Sequence, residues 1–468
     1  MSTSLISYPL RSRHIHSLPP EMITDSFWYL SFTEVRYAAQ VCQRWRDLGI
    51  DHPIFWRYIE ATSITPGALE LLRARIGQSK GRPFTFKVDV KGNSRVVERD
   101  LIDIIGAALH NVGDLSVSLD ALVLMDLFAM LKYKAPKLKR LHLKLYSQDR
   151  CVPRIPLWYN VLGDIPGGLE FIHLDDILLD QGAEVMPCFT NVTYLEHCLP
   201  PSIEANFPAF VFRLCPSLKK FIFRCGRVTY GDPFTEADVE AISRLEFFCI
   251  DIAEAVSRAE FISRVPLNRV REVTIARVLD PDSVYDFLAP LRSPFLFGFS
   301  LNRPPLSDSK QTFDIVVQDY RSRQRRTFAQ FRSDYEHKPH AGEESCINAL
   351  LENEEFHAQI LTLSCAASLF PLMAPHLDYY KAVETFILTL DDMLCLDPAA
   401  PYSLPRASFR FTGLQLLCLR TRHDFVYVDA QDIVHFMDRV APTCAALELR
   451  RVVLTGTTRL VTERYDLV

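Results

Sequence analysis

The 468-residue sequence has no apolar run near the roughly 20 residues that cross a bilayer as a helix. The richest stretch, residues 121–131, is interrupted by Asp126, so no membrane partner is expected. Charge of one sign is also missing. Lys and Arg number 52 against 57 Asp and Glu, and the resulting −5 predicts no general affinity for nucleic acid or for an acidic membrane. None of the twelve cysteines lies in a two-residue-spaced pair, which suits free thiols in a reducing compartment, cytosol or nucleus. Residues 1–13 lack the apolar stretch of a secretory signal. There is no glycine-rich phosphate loop, no glycine-flanked nucleophilic serine and no metal-spaced cysteine–histidine set. Accordingly no catalytic, cofactor-binding or metal-ligating residue is predicted.

What is present describes a folded chain. At 48% hydrophobic and 23% charged the sequence is not disordered, and its length calls for two or more domains or an elongated repeat array.

The densest signals lie between Leu18 and Ile59, which hold three of the four tryptophans. Pro19 and Pro20 suit the first turn of a helix, where a backbone donor has no partner anyway. Met22, Ile23, Phe27 and Leu30 then recur at helical spacing as one apolar stripe. Ser31 and Glu34 form a capping box, predicting a second helix whose periodic set is Val35, Ala38, Ala39, Cys42, Trp45 and Leu48, stopped by Gly49. Asp51 and Pro53 open a third helical turn carrying Phe55, Trp56 and Ile59. So few turns cannot hide so many large apolar groups internally, and a unit of this kind is expected to dock on something else.

In order and spacing, Leu18, Pro19, Pro20, Glu21, Ile23, Leu30, Val41, Cys42, Arg44, Trp45 and Trp56 resemble the F-box. Val35 departs mildly from the leucine more usual there. The resemblance implies three short helices that bind a Skp-type adaptor and, through it, a cullin scaffold that delivers ubiquitin. It implies an adaptor face at Leu18, Pro19, Pro20, Glu21, Ile23, Leu30, Val41, Cys42 and Trp45. Trp45 and Val41 are expected to hold the helices together as well, and Cys42 by itself reads as a small buried hydrophobe.

Further along, a strand of the form apolar-x-x-apolar-x-apolar keeps returning. Clear copies are Leu138–Leu143, Leu169–Leu174, Leu218–Phe223, Leu245–Ile250, Val270–Ile275, Val383–Leu388, Leu414–Leu419 and Leu447–Leu449, with a weak one at Val192–Leu195. In the middle they lie about 23 to 31 residues apart, a leucine-rich-repeat period. Helical patterns fall between them at residues 120–133, 207–214, 235–243, 282–291 and 429–440. The expected fold is α/β, a three-helix F-box followed by a curved, irregular leucine-rich-repeat-like solenoid with a β-hairpin insertion. An ordinary α/β domain is the rival. In size and order of parts the chain resembles F-box proteins with degenerate arrays from mushroom-forming fungi. The expected divisions are an F-box at 14–62, a linker or capping region at 63–110, repeats at 111–301, a hairpin and loop at 302–345 and C-terminal repeats at 346–468.

The predicted hairpin pairs Phe313–Tyr320 with Arg325–Phe331 through a polar turn, projecting from the array, with an exposed loop at residues 338–344. Arg321, Arg323, Arg325, Arg326 and Arg332 form the one basic cluster and are read as a solvated hairpin tip rather than a phosphate grip. Asp175–Asp176 and Asp391–Asp392 follow strands and are read as turn and capping residues rather than catalytic carboxylates; His14 and His16 are not read as metal ligands. The function expected is a substrate-recognition subunit of a Skp–cullin–F-box ubiquitin ligase, not itself an enzyme, with an unknown target protein. The alternatives are an F-box module without ligase activity and an α/β enzyme with an unrecognised site.

Overall fold

The computed structural model describes residues 18–62, 65–90, 95–146, 156–158, 160–164, 166–179, 186–200, 204–207, 210–230, 234–276, 281–302, 311–333, 347–348, 350–390, 411–421, 427–440, 451–455 and 459–461. His14, His16, the loop at 338–344, Asp391–Asp392 and the strand expected at Leu447–Leu449 lie outside them. The chain divides into two compact units: residues 1–197 with 213–217, and residues 198–212 with 218–468.

The first unit opens with four helical pieces where three were expected: α1 (Pro20–Phe27), α2 (Phe32–Ala38), α3 (Gln43–Asp51) and α4 (Pro53–Trp56). The apolar series from Val35 to Leu48 does not form one helix. Gln40 and Val41 donate to the carbonyls of Tyr37 and Ala38, three residues back, which tightens the chain and ends α2. Gly49 is no terminator either. It is buried inside α3, where a Cβ would lie 3.4 Å from Val35 Cγ1, so its bareness serves the close approach of α2 and α3. The stop comes at Pro53, which holds His52 extended at ψ 140°.

Ile59 is not helical but lies in β1 (Tyr58–Ala61). From there strand and helix alternate through α5 (Pro66–Gln78), β2 (Phe84–Asp89), α6 (Arg95–Ala108), β3 (Val112–Asp120), α7 (Leu124–Met130), β4 (Arg140–Tyr146), β5 (Phe171–Asp175) and β6 (Tyr194–Cys198). The sheet order is β1-β2-β3-β4-β5-β6, with β1 to β5 parallel. The sheet therefore begins within the span expected to be F-box, and the expected linker at 63–110 carries α5, β2 and α6. Strand alternation sets the layers. In β4, Leu141, Leu143 and Leu145 are buried while Arg140, His142, Lys144 and Tyr146 keep some exposure. Each such leucine contributes about 2 kcal/mol by leaving water.

The second unit contains β7 (Glu204–Asn206), α8 (Val211–Leu214, its last two residues counted with the first unit), β8 (Lys220–Cys225), β9 (Arg227–Thr229), α9 (Glu236–Ser243), β10 (Phe247–Ile252), α10 (Ala255–Arg264), β11 (Glu272–Ile275) and α11 (Pro281–Leu288). A capping box between Thr235 and Asp238 opens α9. Next come β12 (Phe295–Asn302), β13 (Gln311–Asp319), β14 (Arg325–Ser333), β15 (Ile360–Ala366), β16 (Thr385–Leu390), β17 (Leu416–Thr421), β18 (Tyr427–Asp429), a helix at Ala430–Val440, β19 (Arg451–Thr455) and β20 (Arg459–Val461). The main sheet of this unit runs β8-β10-β11-β14-β13-β12-β15-β16-β17-β19. Its core is aromatic: Phe221 stacks on Phe248 at 5.3 Å, and Phe207 meets Phe261 edge-on at 5.0 Å.

The predicted hairpin exists as β13 antiparallel to β14, but it does not project. β14 also pairs in parallel with β11, and β13 pairs antiparallel with β12, which in turn is parallel to β15. One reversed strand, β13, thus lies between β12 and β14 in an otherwise parallel sheet. Burying Phe313, Ile315, Val317 and Phe328 requires that placement, because an exposed hairpin would leave them in water.

Candidate docking surface of the N-terminal helices

The helices are held by a small core of Ile23, Phe27 and Val35, against which Leu18, Leu30, Ala38, Trp45, Leu48 and Ile54 pack. Phe27 meets Trp45 edge-on at 6.0 Å and His52 at 5.7 Å. The Arg44 guanidinium donates to the Leu18 carbonyl at 2.7 Å, tying the entry of the chain to α3. Ser31 caps α2 reciprocally: its backbone N–H donates to Glu34 Oε2 at 2.6 Å, and Glu34 N donates to Ser31 Oγ at 3.3 Å. The backbone donor of Ser31, then its side chain, holds the Glu34 carboxyl below its ordinary pKa.

The nine residues assigned to the adaptor face fall into three depths. Pro19, Pro20, Glu21 and Val41 are exposed; Leu18, Leu30, Cys42 and Trp45 are half-buried; Ile23 is 1% exposed and belongs to the core. Ile23 is therefore not available to line an exposed face. Met22, read as part of the same inward stripe, is 57% exposed. A helix of this length buries the Ile23–Phe27 side, and Met22 sits about 100° away from Ile23. Trp28, Tyr29 and Tyr37 are also exposed, Tyr29 at 89%; sequence reading passed over them because tryptophan and tyrosine are more often counted as core. The proline corner is open to solvent, and several large apolar groups on the same helical pieces are uncovered as well.

Behind this surface lies a residue no motif announced. Arg75 of α5 is 5% exposed, its guanidinium carbon 3.8 Å from the Phe32 ring centre. Its Nε donates to the Phe55 carbonyl at 2.6 Å and its Nη2 to the Tyr58 carbonyl at 2.5 Å. Burial, helped by the nearby Arg36 charge, pushes its pKa down to about 10. Arg82 lies 3.8 Å over the Trp56 ring, and the Trp56 indole N–H donates to the Asp51 carbonyl at 3.3 Å. His52 Nδ1 accepts from Ile54 N at 3.3 Å, and burial lowers its pKa.

The other candidates have local occupations. Asp175 accepts from Lys144 Nζ at 2.5 Å, and Asp176 turns the chain at φ 61°. The basic cluster dissolves: Arg326 is fully buried, donating to the carbonyls of Leu267, Val270 and Arg325, while Arg325 sits 3.6 Å from Glu272. Arg321 and Arg323 do stand exposed at the turn. Burial raises the Cys225 thiol to about 12 and pushes Cys215 further up, the behaviour of inert core thiols. A stack the sequence reading missed joins His142 to His173 at 4.0 Å between ring centres, with His173 Nδ1 3.1 Å from Glu196 Oε2.

Residues 15–61 match the F-box-like family model. No curated protein matches the chain.

Proposed function

We propose that this protein is the target-binding subunit of a Skp–cullin–F-box type ubiquitin ligase. The observation that carries the reading is the F-box-like match over residues 15–61 coinciding with an exposed proline corner and uncovered apolar side chains. Pro19, Pro20, Glu21 and Val41, with the half-buried Leu18, Leu30, Cys42 and Trp45, form the adaptor face, and Met22 and Tyr29 extend it. Ile23 positions them from the core. Strands succeeding one another at leucine-rich-repeat-like intervals of about 23 to 31 residues supply the surface for a target protein.

The mechanism is positional. A target held on the sheet-bearing part has its lysines kept near a ubiquitin-charged enzyme carried elsewhere on the cullin, which raises their local concentration. In this reading the chain contributes no catalytic group and works in the cytosol or nucleus.

The test is co-purification of the full chain with a Skp-type adaptor and a cullin, for the wild type and for Val41→Glu. Adaptor and cullin recovered with the wild type and lost with the variant support the proposal. Adaptor without cullin favours an F-box module outside a ligase, and no adaptor at all overturns it.

A further inference from the structure

A cavity of about 510 Å³ lies where α2, β1 and α5 meet, and Phe32, Arg36, Tyr58, Leu72 and Arg75 are among the residues lining it. We infer that it is a seat for a phosphate-bearing small molecule, gripped by Arg36 and Arg75. The case rests on charge left without a counter-ion. Arg75 is buried, and its Nε and Nη2 donate to the carbonyls of Phe55 and Tyr58; Nη1 has no acceptor among the described residues. Arg36 has no carboxylate partner among the described residues. The one acid among the described lining residues, Glu60, is paired with Lys87 at 2.8 Å. Glu34 is engaged in the cap of α2.

Carbonyl dipoles and an aromatic face soften a buried guanidinium but do not neutralise it. Both guanidinium carbons stand over the Phe32 ring, Arg75 at 3.8 Å and Arg36 at 6.0 Å from its centre, and two cations gathered on one ring leave a positive field inside the cavity that a bound oxyanion relieves. Planar forks that offer several donors suit a tetrahedral phosphate, which accepts from more directions than a carboxylate. The apolar wall of Leu69, Leu72 and Leu101 leaves room for a body attached to that phosphate. The ligand would sit at the seam between the docking helices and the sheet. It does not depend on adaptor binding, so the two proposals fail separately.

The experiment is calorimetric titration of the full chain with inorganic phosphate and with pyrophosphate at constant ionic strength, with acetate and citrate as carboxylate probes. One saturable phosphate site is expected, at least about tenfold weaker in Arg36→Gln, whose side chain is exposed and whose melting temperature without ligand should stay at the wild-type value. Arg75→Lys, which keeps the charge but loses the fork, should also weaken binding. Absence of saturable phosphate binding, equal affinity in Arg36→Gln, or tighter binding of acetate or citrate than of either phosphate probe overturns the assignment.

Discussion

Arg75 lies over Phe32, with 3.8 Å between guanidinium carbon and ring centre, and through that contact the N-terminal helices are fastened to the sheet that follows. The same side chain bonds the carbonyls of Phe55 in α4 and Tyr58 in β1, so one arginine joins three elements. Charged hydrogen bonds of this kind contribute about 1.5–3 kcal/mol each. Arg75→Met should lower the melting temperature of the first unit and speed amide exchange at residues 55–62, at a cost of roughly 2–4 kcal/mol. Arg75→Lys should recover only part, since an ammonium cannot face the ring while reaching both carbonyls. An Arg75→Met protein with wild-type melting and exchange would remove the joint from this account.

Adjacent residues of α1 should behave in opposite ways. Ile23 is core, and Ile23→Ala should destabilise the helical unit by about 2–4 kcal/mol, with adaptor binding lost as a consequence. Met22 and Val41 are exposed, so Met22→Glu and Val41→Glu should leave circular dichroism and melting unchanged while weakening adaptor binding tenfold or more. Loss of folding in the exposed variants, or full binding by them, contradicts the placement of the face.

Acid should destabilise the first unit through its buried histidines. His197 is buried against the Ile177 carbonyl at 2.9 Å, and burial lowers its pKa from 6.5 to about 4. Between those values the unfolded chain binds a proton that the folded chain does not. Stability is therefore full above about pH 6.5 and falls as the pH drops towards 4, by on the order of 3 kcal/mol for this one group. Burial shifts His52 and His142 in the same direction. Denaturant titrations at pH 7 and pH 5 should show the loss, and His197→Gln should flatten it.

The arginines of the β13–β14 hairpin should divide by depth rather than act as a set. Arg326→Gln removes donors from the Leu267 and Val270 carbonyls at a fully buried position and should cost about 2–4 kcal/mol in the second unit. Arg321→Ala and Arg323→Ala, at exposed positions, should fall within about 0.5 kcal/mol of wild type. Comparable losses at all three would restore the picture of a functional cluster.

Much of this was legible in the residues themselves. Ser31 and Glu34, Thr235 and Asp238, and the alternating Leu141, Leu143 and Leu145 carry signals that act within a few positions, so caps and strands follow from local chemistry. The F-box-like order of residues from Leu18 to Trp56 is of the same kind. Burial was not legible in this way. That Ile23 faces in while Met22 faces out depends on α3 and on Val35, and the turn at Ala39–Cys42 that positions α3 carries no glycine or proline to announce it. Arg326 read as a solvated charge and Arg75 carried no signal, until the fold brings them carbonyls from up to 59 residues away. An arginine can leave water only where such acceptors converge, and convergence of that kind belongs to the tertiary fold.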